Sequence, residues 1–420
     1  MAHVESIGRR DGIAATVGRL VPRIPFPLAM VMIAIAIGLA TGMDDAKFIT
    51  VFGKGFGNNL GYFAIILLCS FFLAAAISKG DAFSLGRIGV LLSPFTGAGM
   101  VCPDTSYATL APIAQGYRRS IAVGSYAGFK LMIPAGPLII GVALSADVGR
   151  PGFVLLGLAL MVPAFAAGLL WLRLTGRQRE DGATDAPATM AAALRSGGDR
   201  FALRRLFPLY CLAVLLGVGF LLDLSAHPTI KFLTAPTGTL VVTSVLTYGL
   251  VAPERRRECL DSAMRRTASL LLVIGTATAL GSVLAATLPL AAFASSFTGV
   301  HASIALVVIL FGITAVFKMI NGSSLATFAA VPPILAPIVS GASLDPTIAV
   351  YAICLGSFVA ILPNDSFFWL TQPNGGDAAA ASAGAGQSKT DFTLTGASVV
   401  QGLVGLACLC GYLLVAGKLV

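Results

Sequence analysis

The chain has 420 residues, 56% of them hydrophobic and 11% charged, with a formal net charge of +9 and a mean hydropathy of +0.88. Soluble domains carry roughly 25% charged residues, so this composition excludes a soluble globular protein and makes lipid the solvent. The positive charge falls in loop clusters of Arg, the pattern of positive-inside topology and not of a nucleic-acid partner.

In chain order, residues 1–24 carry Arg9, Arg10, Arg19 and Arg23 and form a basic tail expected in the cytoplasm, without a signal-peptide cleavage site. Spans are expected from about Phe26 to Gly42 and from about Leu60 to Ser78, with an outside loop between them. The stretch 88–116 is broken by Pro94, Gly97, Gly99, Pro103 and Pro112, and Arg87 and Arg118-Arg119 flank it. Both ends therefore prefer one side, and a re-entrant hairpin satisfies the breaks and the charges together. A broken helix follows over 121–144, interrupted at Pro134-Ala135-Gly136-Pro137, and a closing span over about Phe153 to Leu172. These elements make a first membrane repeat, 25–172.

An Arg-rich polar linker, 173–205, leads to a second membrane repeat, 206–420. Its spans are expected at about Leu206 to Leu222, Leu233 to Leu250 and Ser269 to Leu288, with Arg255-Arg256-Arg257 and Arg265-Arg266 in a cytoplasmic loop. A second hairpin, 302–340, and a second broken helix, 347–370, interrupted at Pro363-Asn364-Asp365-Ser366, precede a last span ending near Val415. The total is about nine full spans plus two hairpins. The order of elements repeats, and the charge count places the two copies in opposite orientations. An all-α polytopic membrane protein with two inverted-topology repeats is the expected fold, the usual build of a secondary transporter.

The two tips also match in sequence. Thr105 to Ala111 and Ser323 to Ala329 both read hydroxyl, Ser, any residue, Ala, Thr, any residue, Ala. Thr105, Ser106, Asn321, Gly322, Ser323 and Ser324 at the tips, with Gly136, Asn364 and Ser366 at the breaks, are the expected substrate-binding residues. Broken helix ends add backbone groups and dipole charge. Ionisable residues at membrane depth are costly and mark function. Asp104 and Asp365 are the expected proton carriers, because burial in low dielectric favours the neutral form of a carboxyl group. Lys318, with the second tip, is placed to meet a substrate carboxylate, and Lys130 to do the same or to neutralise an Asp. The alternative role for the hydroxyl residues is helix-to-helix glue. The three His and seven Cys show no metal-ligand spacing, so neither metal nor cofactor is expected beyond a coupling ion. Nor is there a catalytic pair of the kind an intramembrane enzyme needs.

Ile274-Gly275 through Gly281-Ser282-Val283-Leu284, Asn321-Gly322-Ser323 and Pro363-Asn364-Asp365-Ser366-Phe367-Phe368-Trp369-Leu370 resemble the gluconate permease family of the ion transporter superfamily. The resemblance runs from about Gly55 to Trp369. Leu362-Pro363 stands where that family has His-Val, and Lys318-Met319-Ile320-Asn321 where it has Arg-x-x-Gln. The first hairpin and Arg118-Arg119 are also similar to the membrane subunit of tripartite carboxylate carriers. The resemblance implies proton symport of gluconate or a related sugar acid, an elevator motion and often a homodimer. The expected function is therefore proton-coupled uptake of a small organic anion, a sugar acid or hydroxy acid, across the inner membrane. Sodium coupling, a D-amino-acid substrate and a binding-protein-dependent carrier are the alternatives.

Overall fold

The structure, a computed structural model, describes residues 25–57, 60–77, 86–100, 102–111, 116–176, 199–222, 227–287, 300–342, 344–359, 361–363, 365–371 and 392–416. The expected N-terminal tail, most of the linker and Asn364 lie outside these residues. The described chain contains helices and no strand.

Three helices open it: α1 (Phe26–Ala40), α2 (Asp45–Gly57) and α3 (Leu60–Ile77). The first tip region is α4 (Gly86–Gly99) and α5 (Pro103–Leu110), and the first broken helix is α6 (Arg118–Leu131) and α7 (Gly136–Ala143), closed by α8 (Pro151–Leu174). Then come α9 (Asp199–Leu221), α10 (Pro228–Thr234), α11 (Pro236–Leu250) and α12 (Pro253–Thr287). The second tip joins α13 (Val300–Asn321) to α14 (Ser324–Gly341), and the second broken helix is α15 (Pro346–Gly356) and α16 (Ser366–Leu370), closed by α17 (Thr393–Ala416). The order tip, broken helix, closing helix thus occurs twice. The two closing helices, α8 and α17, pack on each other. Trp171 Nε1 donates to the Thr393 carbonyl at 3.1 Å across that contact.

Several expected boundaries move. Among the described residues seven helices are long and apolar enough to cross a membrane, or up to eight if the bent pair α10–α11 counts as one span. Two of the seven are the arms of the second hairpin, so of the nine expected spans five pass, one is the bent pair, and three, at Pro27–Ala40, Tyr210–Gly219 and Pro346–Gly356, have apolar helices of only 10–17 residues. The span expected over Leu233 to Leu250 is bent by 76° between α10 and α11, where Pro236 cannot donate to the preceding turn. The loop expected after α1 contains α2. The loop expected at Arg255 to Arg266 is helical and continuous with the next span. At 35 residues α12 is about 52 Å long, longer than the roughly 30 Å hydrocarbon layer, so its Arg-bearing turns can extend into water. Arg257, Arg265 and Arg266 are exposed. The second hairpin's arms, 22 and 18 residues, are much longer than the first's, 14 and 8 residues.

Two sets of contacts organise the helices. On one side α12 packs against α1, α2 and α3, and α11 against α3 and α9. On the other α4 packs on α6, α6 on α8, and α13 on α15. α12 also packs on α14 and joins the two sides. Close approach of α4 and α6 depends on three glycines. A Cβ at Gly97 would fall on the Ser125 carbonyl, one at Gly128 on the Pro94 carbonyl, and one at Gly124 on Ser93 Oγ. Gly124 and Gly128 are one helical turn apart, the small-xxx-small arrangement that lets membrane helices meet backbone to backbone. Outward-facing Leu28, Leu155, Leu170, Val308, Leu403 and Val415 are exposed, as suits side chains that meet lipid tails. The chain is a multi-pass membrane protein.

Candidate functional site

Each tip packs against the broken helix of the other half. At the first tip Tyr107 on α5 sets its ring edge-on to Phe367 of α16, with centroids 5.8 Å apart. At the second tip Phe328 on α14 meets Phe129, just before the first break, at 5.3 Å. A Cβ at Gly136, just after that break, would come within 2.5 Å of the Phe328 ring. Gly136 is therefore a contact point between the second tip and the first break. Between the tips Tyr126 of α6 stacks on Phe367 at 5.4 Å and stands edge-on to Phe358 at 5.7 Å.

The second break begins earlier than the sequence suggests. α15 ends at Gly356, seven residues before Pro363, and Asp365 sits immediately before α16. Asp365 is 4% exposed and Lys318 0%. Lys318 Nζ lies 2.6 Å from Asp365 Oδ2 and also donates to the Gly322 carbonyl. The other carboxylate oxygen accepts from the Phe367 amide at 3.1 Å. Lys318 stands in the last turn of α13 and Asp365 at the start of α16, so each charge faces the favourable end of a helix dipole. Lys318 is thus held by a carboxylate of its own chain, at the place where a substrate carboxylate was expected. Asp104, in the first turn of α5 and half-buried, is within electrostatic reach of Lys318.

Lys130 has a different set of partners. It is 0% exposed, and its Nζ donates to Ser324 Oγ at 3.0 Å, to the Ser357 carbonyl at 2.6 Å and to Ser357 Oγ at 2.9 Å. The ammonium also lies 4.1 Å from the centre of the Tyr126 ring. Its hydrogen-bond acceptors are two hydroxyls and a carbonyl, and Asp365 acts on it electrostatically without a hydrogen bond.

Of the expected hydroxyl ligands, Ser106 is fully buried and already bonded to Thr96 Oγ1 and Ser125 Oγ, both at 2.9 Å. It holds α4, α5 and α6 together, which is the glue role. Thr105 is half-buried beside Asp104. Ser323 caps α14, its hydroxyl accepting from the Ala326 amide at 3.2 Å. Gly322 has φ of +78°, a turn conformation that favours glycine. The Asn321 side-chain nitrogen is buried with no hydrogen-bond partner, a costly state that a ligand oxygen would relieve. Only the backbone of Ser366 is described, and Asn364 lies outside the described residues. Sequence reasoning missed Tyr126, Ser357, Phe328 and Phe358. Tyr126 had a signal, since it precedes Lys130 by one helical turn and shares its face.

A family model described as "GntP family permease" matches residues 21–93 and 121–379. Residues between those two stretches, the first tip among them, lie outside the match. The low-affinity gluconate transporters of Escherichia coli K12 and O157:H7 are each 24% identical over 389 residues, covering 82% of this chain and 85% of theirs. Among solved structures, the Alcanivorax borkumensis YdaH transporter gives a TM-score of 0.61 at 15% identity, over 93% of this chain and 98% of that one. MtrF of Neisseria gonorrhoeae, described among a class of antimetabolite efflux pumps, gives 0.55 at 14% identity over 94% and 96%. These two likenesses concern the fold alone. The chain belongs to the GntP family of permeases and is a membrane transporter, not an enzyme.

Proposed function

We propose that the protein is a proton-coupled symporter for a small monocarboxylate, gluconate or a related sugar or hydroxy acid, with the site between the two tips and the two breaks. The observation that carries this reading is the buried Lys318–Asp365 pair at 2.6 Å. Lys130 and Asp104 both act electrostatically on the Lys318–Asp365 pair, so two positive and two negative charges balance before substrate enters the site. An anion entering it leaves one negative charge uncompensated, which is expensive in a low-dielectric site. A proton on Asp365 removes that charge and releases Lys318 to pair with the substrate carboxylate. One proton then accompanies one monocarboxylate. Asp104 is the second proton candidate, close to the same lysine.

Asn321, with its unpartnered nitrogen, and the hydroxyl of Thr105 are the substrate's hydroxyl-binding partners in this reading. Asn364 and Ser366 lie next to the same pair in sequence. The likeness to gluconate transporters supports the substrate class. The repeated order of tip, broken helix and closing helix supports an inverted repeat. We infer an elevator in which α4–α8 and α13–α17 move against α1–α3 and α9–α12. The Arg-rich N-terminal tail, linker and first turns of α12 support a cytoplasmic N-terminus in an inner membrane, and a homodimer is the assembly expected for such a fold.

The test is gluconate uptake by proteoliposomes under an imposed proton gradient, with sodium or with choline as the only added cation. Uptake should follow the proton gradient and be the same in both salts. Uptake driven by sodium without a proton gradient would overturn the coupling, and no uptake of any sugar or hydroxy acid would overturn the substrate class.

A further inference from the structure

We propose that the Lys130 ammonium is a tethered cation, occupying with the chain's own charge a position built to hold a bound monovalent cation. This deepens the transport reading above and rests on it for its role in the cycle. Three oxygens, one carbonyl and two hydroxyls, surround Nζ at 2.6 to 3.0 Å. Unwound carbonyls and half-helix C-terminal ends are what transporters offer to small cations. Their lone pairs are turned inward: Ser357 Oγ donates its own proton to the Cys354 carbonyl at 2.5 Å, so it faces Lys130 only as an acceptor.

The charge is held without direct contact to a carboxylate. Lys130 occupies the last turn of α6 and reaches the carbonyl that follows the last residue of α15. Two helix C-termini therefore converge on it, each carrying partial negative charge. The Tyr126 face supplies a cation–π contact, and Phe328 and Phe358 wall off water. The Lys318–Asp365 pair and the Cys354 thiol are the other ionisable groups near it.

The consequence is mechanical. Ser324 is the first residue of α14, and Ser357 opens the second break, so Lys130 ties the second tip to that break and to α6. A mobile sodium ion at this point would make closure of the tip depend on external sodium. A covalently attached ammonium removes that dependence and leaves the proton as the only coupling ion.

The experiment uses the purified full chain with Lys130→Ala and Lys130→Met, both of which leave the three oxygens in place. Lys130→Arg keeps the charge. Melting is followed in sodium chloride and in choline chloride, and proteoliposome uptake is measured with gluconate as the probe. Wild type and Lys130→Arg should melt identically in the two salts, whereas Lys130→Ala should gain about 2 °C in sodium. Its uptake should fall about tenfold in choline and recover roughly threefold when sodium is present. Melting and uptake of both neutral variants that ignore sodium would overturn the proposal, as would wild-type levels of uptake by Lys130→Ala in choline. If neither neutral variant folds in choline but either folds in sodium, the proposal stands. If neither folds in either salt, it falls. Sodium-dependent melting of Lys130→Ala beside a wild type that takes up no gluconate would support the tether and reject the substrate.

Discussion

Lys318 and Asp365 are 47 positions apart in the chain and 2.6 Å apart in space. Removing one partner of such a buried pair costs about 3–5 kcal/mol, because the other charge is left unpaired, whereas removing both charges is often close to neutral. Lys318→Met should therefore lower stability by about that amount, and Lys318→Met with Asp365→Leu should regain most of it while transporting nothing. Melting of the three proteins in one detergent checks the first statement, and gluconate uptake the second. A double variant as unstable as the single one would show that the pair is not a closed unit. Asp365→Asn alone separates coupling from binding: uptake should lose its response to the proton gradient, since the amide cannot take up and release that proton. Lys130, Lys318 and Asp365, all three buried, stood out in the sequence because each interrupts an apolar stretch at a cost. Their pairing did not. Distances along a chain do not say which loop closes on which, and Ser106 matched the tip motif although Thr96 and Ser125 already use its hydroxyl.

Among the elements, the fit of α4 against α6 carries the first tip. The tip's own helix, α5, has eight residues, too short to hold a position without neighbours. Ser106 fixes it to α6 only because Gly97, Gly124 and Gly128 let α4 and α6 approach backbone to backbone. Gly128→Leu drives a side chain into the Pro94 carbonyl and should cost about 1–3 kcal/mol through overpacking, with a matching fall in melting temperature. Gly53→Leu is the control, since a Cβ there meets nothing within 4 Å. Equal effects of the two would remove the close-packing argument. Breaks written in proline were readable: Pro134 lies between α6 and α7, and Pro137 stands in the first turn of α7, where the interruption was expected. The end of α15 was not, because Gly356 is followed by no proline until position 363. The last-turn carbonyls are met locally, those of Ile353, Leu355 and Gly356 by the amides of Ser357, Phe358 and Val359 and that of Cys354 by Ser357 Oγ, while the cap carbonyl of Ser357 accepts from Lys130 in the other half. A helix can stop where a Ser hydroxyl and the next backbone amides take up its last oxygens, a pattern that no proline marks in the sequence.

For the whole molecule, composition and the twofold order of tip and broken helix were enough to indicate a membrane transporter, because every spanning backbone must satisfy itself. Motion between the two groups of helices needs a surface on which they slide, and α12 against α14 is the contact where one group meets the second tip. Gly281 on α12 lies against the backbone of Pro333 on α14, so closely that a Cβ would fall on the Pro333 carbonyl. α14 carries Pro332, Pro333 and Pro337, whose missing amides leave carbonyls of the preceding turn without helical partners. On a sliding surface a methyl group at position 281 would act as a detent. If α14 travels along α12 during transport, Gly281→Ala should reduce the maximal uptake rate about tenfold while leaving the gluconate-induced rise in melting temperature intact, since the binding residues lie elsewhere. If the contact is static, the substitution lowers the melting temperature alone and uptake per folded molecule is unchanged. The ratio of maximal rate to ligand-induced stabilisation, measured on one preparation, decides whether this face is a bearing or a weld.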